Sequence, residues 1–252
     1  MQLSHGNLRT QSAYDAMRAA GYALVDHSAE TQAAVHKLGE ELRQLKVAFV
    51  EDTKRPLDPT THLLFEKIFQ RLPTKSLNPN VGDGKRSSCT GFPTKEGVQW
   101  CDMGIKITAD IIGEAGLSSP CRRVLQNSLL RTEEGSEFQV GHFDLPVPVL
   151  PTPRSPEPSA VIALTPLFTD SSLRILPFGA IDRIPTQQEF NRLARVVPVR
   201  YGQTLLMRYD MAHSGTDADG MRLHTIYGFT WIDLSSNTSY LLNARREPTS
   251  RG

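Results

Sequence analysis

Cysteine is scarce: three residues in 252, Cys89, Cys101 and Cys121, odd in number and never spaced C-x-x-C. That pattern indicates neither a disulfide framework nor a zinc knuckle, and reduced, partly buried thiols are the plain reading. An excess of one charge sign is also missing. Lys and Arg total 28 against 27 Asp and Glu, for a net charge of +1. Nothing therefore suggests a non-specific grip on nucleic acid or an acidic membrane surface, although a local basic groove is still allowed. No stretch is long and apolar enough to span a bilayer, and Met1-Gln2-Leu3-Ser4-His5-Gly6 lacks the apolar core of a signal peptide. The expectation is a soluble, intracellular, cytoplasmic protein with no membrane partner. No internal repeat is visible, and oligomeric state is not legible.

What is present is ordinary soluble composition, 39% hydrophobic and 22% charged, in a chain long enough to bury a substantial core. The expected organisation is one domain over 1–252: mainly helical support and a lid loop over 1–118, a strand-rich core over 119–242, and a flexible tail over 243–252. Ser12 is placed to cap a helix over Ala13–Ala20 with Asp15 in the capping-box position, and Gly21 stops it. Tyr22–Val25 reads as a short buried strand, followed by Asp26-His27-Ser28 as a turn and cap. From Ala29 to about Val50, Val35, Leu38, Leu42, Leu45 and Phe49 recur at helical spacing, which predicts an amphipathic helix lying against a sheet. Another helix is expected over His62–Leu72, and Ile105–Ala115 reads as helical. The Gly, Pro, Asn and Ser density between Thr74 and Thr94, with Lys85 and Arg86 inside it, predicts a long mobile loop that serves as lid or binding surface or is a disordered excursion.

After Pro120 the pattern changes to period two. Strands are expected over Arg123–Arg131 and Glu137–Val140, then Ala160–Leu164, Leu173–Leu176, Val196–Val199, Thr204–Tyr209 and Met221–Trp231, with a short helix near Gln187–Leu193. Prolines at 146, 148, 151, 153, 156 and 158 make a stiff loop that cannot enter a sheet interior. Helices first and short strands afterwards suggest an α+β, mainly β chain: a jelly-roll (double-stranded β-helix, cupin-like) core on an N-terminal helical layer.

One stretch carries chemistry. In Gln139-Val140-Gly141-His142-Phe143-Asp144 an extended backbone points His142 and Asp144 to one face and Phe143 to the other. With an imidazole from a neighbouring strand, these types make the two-His-one-carboxylate triad typical of non-haem Fe(II) oxygenases, which leaves coordination positions open. His213, 71 residues after His142 and at the end of an apolar strand, is the candidate third ligand. Arg222, nine positions later, is the candidate partner for an acidic cosubstrate, because a buried guanidinium needs a counter-charge and a carboxylate offers a bidentate one. The bland alternatives are a surface hydrogen-bonded His142–Asp144 pair and a solvated Arg222. His5, His27, His36 and His62 read as ordinary surface histidines, and the face of His224 is undecided. Arg131 reads as a salt-bridge partner of Glu133 or Glu137 in preference to a substrate contact.

From Leu129 to Trp231 the sequence resembles the Fe(II)/2-oxoglutarate-dependent dioxygenase superfamily. Arg131 to Asp144 is similar to the strand, glycine turn and H-x-D run of its prolyl-hydroxylase-like branch. Leu173-Arg174-Ile175-Leu176-Pro177, Tyr201-Gly202-Gln203-Thr204-Leu205-Leu206 and His213 look like the phytanoyl-hydroxylase-like branch. The resemblance implies metal ligands His142, Asp144 and His213, with Arg222 holding the far carboxylate of 2-oxoglutarate. It implies Fe(II), 2-oxoglutarate and O2 as cofactor and cosubstrates, with ascorbate as a further candidate. Thr132 stands where that pattern has a tyrosine, and His224 where some members carry Ser or Thr; Gln126 and Thr225 are the other cosubstrate-binding candidates. The implied activity is hydroxylation or other oxidation of a C–H bond in a small organic substrate, with release of succinate and CO2. A protein side chain such as proline, a nucleic-acid base, and a cupin-like metal protein without oxygenase activity stay open as alternatives.

Overall fold

The computed structural model describes residues 13–52, 70–71, 86–89, 95–117, 123–136, 138–139, 141–144, 159–181, 184–229 and 240–241. In chain order the elements are α1 (Ala13–Ala20), β1 (Tyr22–Asp26), α2 (Ala29–Asp52), β2 (Gln70–Arg71), β3 (Arg86–Cys89), α3 (Lys95–Glu114), β4 (Arg123–Thr132), β5 (His142–Phe143), β6 (Ala160–Pro166), β7 (Ser171–Ile175), α4 (Gln187–Leu193), β8 (Arg195–Val199), β9 (Gln203–Arg208), β10 (His213–Gly215), β11 (Gly220–Gly228) and β12 (Tyr240–Leu241). The strands form two sheets. The larger has the order β1-β9-β6-β11-β4-β3-β2 and the smaller β12-β5-β10-β7-β8, every pairing being antiparallel.

Alternation along the strands sorts side chains into two cores. On one face of the large sheet, Val25, Leu129, Val161, Ala163, Leu206, Met221, Leu223 and Tyr227 pack under Met17, Val35, Leu38, Leu42, Ile107 and Ile111 of the three long helices. On the other face, Ile162, Leu164, Leu205, Met207 and Ile226 meet Leu173, Ile175, Val197 and Val199 of the small sheet. The molecule is therefore layered as helices, large sheet, small sheet, and α4 closes the far side of the small sheet through Phe190. Local chemistry agrees with these boundaries. The Ser28 hydroxyl accepts from Thr31 N–H at 3.2 Å to start α2, and Thr186 with Glu189 forms a capping box on α4. Gly21 links α1 to β1 at φ 82°, where an added Cβ would lie 2.3 Å from Met211 Sδ.

Several expectations change. Residues 70–71 are a strand, not the end of a helix, and the rest of the expected 62–72 helix lies outside the described residues. Within the expected 74–94 loop, 86–89 is a strand paired to β4 at Thr132–Leu129, while Lys85 lies outside the described residues. The N-terminal helical support thus also supplies strands to both edges of the large sheet. Residues 138–139 are not a strand, and the ladder starts only at His142. Ser12, the proline-rich 146–158 segment and the 243–252 tail lie outside the described residues. Among the described residues no helix is long and apolar enough to cross a membrane.

His27 is not an ordinary surface histidine. Its Nδ1 lies 3.1 Å from Gln32 Oε1 and its Nε2 2.9 Å from Thr204 Oγ1, tying α2 to β9. Burial pushes its pKa below the ordinary value of about 6.5, despite the hydrogen bond to Gln32 and the charges of Glu114 and Asp26, which act the other way. Above pH ~6.5 the ring is neutral in both folded and unfolded chains, so its contribution is fully present. As pH falls below that value the unfolded chain takes the proton first, and stability declines until the folded ring is also protonated. Denaturation midpoints measured from pH 7.5 to 5 should fall less steeply for His27→Gln than for the parent. Equal slopes would show that His27 contributes nothing to the acid limb.

Candidate metal centre

The small sheet brings the separated residues together. His142 of β5 and His213 of β10 are direct cross-strand partners, with ring centroids 4.7 Å apart and planes inclined at 53°. Side chains of such a pair project to the same face. Asp144 follows with its Oδ1 3.5 Å from His142 Nε2 and its Oδ2 3.3 Å from His213 Nε2. One ligand atom from each of His142, Asp144 and His213 lies within 4.8 Å of the others, a spacing that can close around one ion.

Packing on the opposite face holds this geometry. Phe143, 2% exposed, points away from the histidines into a cluster with Leu176, Phe190 and Ala212. Gly141 N–H donates to Gln187 Oε1 at 3.0 Å, so α4 also grips the approach to β5. Gln139 forms a two-way clamp on β10: its N–H donates to Gly215 O at 3.0 Å, and its Oε1 accepts from Gly215 N–H at 2.9 Å. The turn before His213 is pinned by the buried Arg208–Asp210 ion pair at 2.9 Å, with Phe178 under the guanidinium at 4.7 Å.

The electrostatics suit a cation. His213 Nδ1 lies 3.1 Å from Met211 O; a carbonyl only accepts, so Nδ1 carries a proton and Nε2 is the nitrogen turned to Asp144. Burial pushes the Asp144 carboxyl up, but the charges of His213 and His224 and hydrogen bonds from His142 and His213 outweigh it. The net value is well below the usual carboxylate range. The donor set of two imidazoles and one ionised carboxylate fits a first-row divalent metal, iron included.

The remaining candidates divide. Arg222, 4% exposed, lies on the inward face of β11. It donates from Nε to Ser171 Oγ, from Nη1 to Thr132 Oγ1 at 2.8 Å, and from Nη2 to Ala218 O. Thr132 is therefore in the arginine's shell, and Ser171, which the sequence reading did not single out, joins it. Thr225 is a correction: three residues from Arg222, it faces the helical layer and bonds Thr108 at 3.1 Å and Asn127 at 2.7 Å, so it cannot meet a ligand at Arg222. Gln126 stands opposite Ile226 in β4, and its side chain lies outside the described ones. Arg131 pairs with Glu133 at 3.3 Å, as the structural reading has it. A cavity of about 360 Å³ lined by Arg131, Glu133, Asp219 and Met221, with Leu42 and Phe168, opens on the helical side of the large sheet, away from the inward face of Arg222. His224, undecided by sequence, points inward and sets its Nε2 3.0 Å from Asp144 Oδ2.

Comparison of the fold with solved structures gives similarity to several proteins. One is the epimerase SnoN, solved with Fe3+, alpha-ketoglutarate (2-oxoglutarate) and nogalamycin RO: 14% identity, 86% of this chain and 82% of that one, TM-score 0.50. Another is SnoK, a non-heme alpha-ketoglutarate-dependent carbocyclase of nogalamycin biosynthesis: 13%, 86% and 82%, TM-score 0.51. A third is AviO1 of Streptomyces viridochromogenes Tue57: 15%, 86% and 93%, TM-score 0.53. No family model and no curated protein sequence matches the chain. At these identities the likeness is one of fold.

Because Phe143 is the buried counterweight to His142, Phe143→Ala should cost about 3–5 kcal/mol in denaturant unfolding. Phe143→Leu should cost less than about 1.5 kcal/mol, the range of near-volume-conserving swaps. A Phe143→Ala protein as stable as the parent would show that this face does not anchor β5.

Proposed function

We propose that the chain is an Fe(II)- and 2-oxoglutarate-dependent oxygenase that oxidises a C–H bond of a small organic molecule. The observation that carries this reading is the convergence of His142, Asp144 and His213 within 4.8 Å. Arg222 stands on the inward face of the strand whose His224 touches Asp144. We also read the two sheets as a double-stranded β-helix. The order β9-β6-β11-β4 in the large sheet facing β5-β10-β7-β8 in the small one supports it, since from β4 to β11 successive strands alternate between the sheets except at the β7–β8 pair.

Each residue then has a task. His142, His213 and Asp144 would hold Fe(II) on one side and leave the other positions to exchangeable ligands. Bound iron with 2-oxoglutarate and O2 would supply the oxidising chemistry, with succinate and CO2 as products. Ionised Asp144 meets the cation without releasing a proton. His213, its Nδ1–H held by Met211 O, would give Nε2 to the same cation. Two residues of strand separate Arg222 from His224, roughly 6.6–6.8 Å, so one dicarboxylate can touch the guanidinium at one end and the metal ligands at the other. Ser171 and Thr132 keep the guanidinium aimed, and Ile226, Leu164 and Ile175 line the interior with apolar surface that excludes water. A small organic substrate accords with the ligand of SnoN and the pathway of SnoK. Those two are an epimerase and a carbocyclase, so the product need not be an alcohol.

The test is spectroscopic and then catalytic. Anaerobic protein loaded with Fe(II) should develop a visible charge-transfer band on adding 2-oxoglutarate, and in air should form succinate, faster with some members of a small-molecule library. His142→Ala should abolish the band. Arg222→Ala should weaken 2-oxoglutarate binding by about 10–100-fold, from loss of charged hydrogen bonds of about 1.5–3 kcal/mol. An unchanged band in His142→Ala would refute the ligand assignment. Bound metal that never turns over 2-oxoglutarate in air would favour a cupin-like binding protein.

A further inference from the structure

Three imidazoles touch one carboxylate, and a facial triad needs two. The shortest contact belongs to the third: His224 Nε2 is 3.0 Å from Asp144 Oδ2, against 3.3 Å for His213 to the same oxygen and 3.5 Å for His142 to Oδ1. His224 lies outside the trio whose ligand atoms are mutually close. An ionised carboxylate only accepts, so this contact requires the proton on Nε2. Its Nδ1 faces the Ser128 hydroxyl at 3.5 Å, and that hydroxyl donates to the His224 carbonyl at 3.3 Å. The ring is 6% exposed. Its backbone is held on both sides, opposite Ser128 of β4 and Leu164 of β6, so it cannot follow the carboxylate if the carboxylate turns.

We infer that His224 is a positioning residue for the metal-binding carboxylate: its Nε2–H holds Oδ2 of Asp144, so that Asp144 binds metal through Oδ1 alone. A carboxylate free to rotate can give both oxygens to a cation and occupy one more coordination position. Held through Oδ2, it occupies one, and the positions needed for exchangeable ligands stay available. The inference rests on the reading of this site as a metal centre, and its test separates the two.

The test uses Co(II) in the anaerobic full-length protein, without 2-oxoglutarate or turnover. Affinity and the visible ligand-field spectrum are the readouts, and apo thermal midpoints control for folding. Gln can place an amide N–H where Nε2–H lies; Leu fills similar space without a donor; Asn carries a donor too short to reach Oδ2. His224→Gln should keep the parent spectrum and bind Co(II) within a few-fold of it. His224→Leu should bind about 10–100-fold more weakly, as loss of a ligand's hydrogen-bond partner does, with an altered band shape and an apo midpoint near the parent's. If His224→Leu does not fold, His224→Asn makes the same comparison. Parent-like binding and spectrum in His224→Leu or His224→Asn would overturn the inference. So would a His224→Gln as impaired as His224→Leu, which would point to a fourth metal ligand or to packing. In either case the metal-centre reading stands, provided His142→Ala loses Co(II). A parent protein that takes up no Co(II) would overturn both.

Discussion

The cross-strand pairing of His142 with His213 is the constraint on which the rest of the site depends. It is one register position in a small sheet, and a slip by one residue would swing either imidazole to the far face. The chain secures that register with groups that do no chemistry. Phe143 is buried opposite His142, Gln139 clamps Gly215, Gln187 holds Gly141, and the Arg208–Asp210 pair fixes the turn into β10. Replacing hydrophobes could supply comparable stability to the last of these, since buried ion pairs are seldom net stabilisers. What the pair gives here is a defined turn geometry five residues and less from the candidate ligand His213.

The candidate site was legible in the sequence wherever alternation and order sufficed. His142 and Asp144 on one side of Phe143 follow from period two alone, whereas His213, expected at the end of the strand after Gly202, opens β10 after a turn that follows β9 at Arg208. The same rule held two further facts that were not drawn from it. Arg222 and Thr225 are three residues apart on one strand and so cannot share a face, which excludes Thr225 once Arg222 is turned inward. Arg222 and His224 are two apart and must share one, which brings His224 to the site. Ser171 gave no such signal. It reaches Arg222 only because β7 begins beside the start of β11 in the folded chain, a non-local adjacency that no spacing encodes.

The misread elements have the same cause. Residues 86–89 sit among glycine, serine and lysine, with the local chemistry of a loop, yet they form a strand because β4 offers an open ladder from Leu129 to Thr132. Glu137–Val140 has strand-like residues, yet its described residues 138–139 are not a strand, because Gln139 directs its hydrogen bonds to Gly215 before the ladder begins. Pairing partners decide strands more than propensity does. The amphipathic helices were legible for the opposite reason. Their periodicity is a local record of the face they bury, and Val35, Leu38 and Leu42 are buried as that spacing demands.

Strand β11 joins the two halves of the site, and this explains why its inward face tolerates an arginine and a histidine in a protein interior. Its outward residues, Met221, Leu223 and Tyr227, are packed under the helices, and its backbone is bonded to β4 along one side and β6 along the other. A strand so held keeps Arg222 and His224 at a fixed separation with little conformational freedom left to lose when a ligand binds. Each polar group has neighbours that orient it: Ser171, Thr132 and Ala218 O for the guanidinium, Asp144 and Ser128 for the imidazole. Desolvation makes such groups costly when unmatched and strong when matched. On the proposed function, a metal ion at the trio and a carboxylate at the arginine would match them, and the burial that makes this constellation costly would also strengthen what it binds.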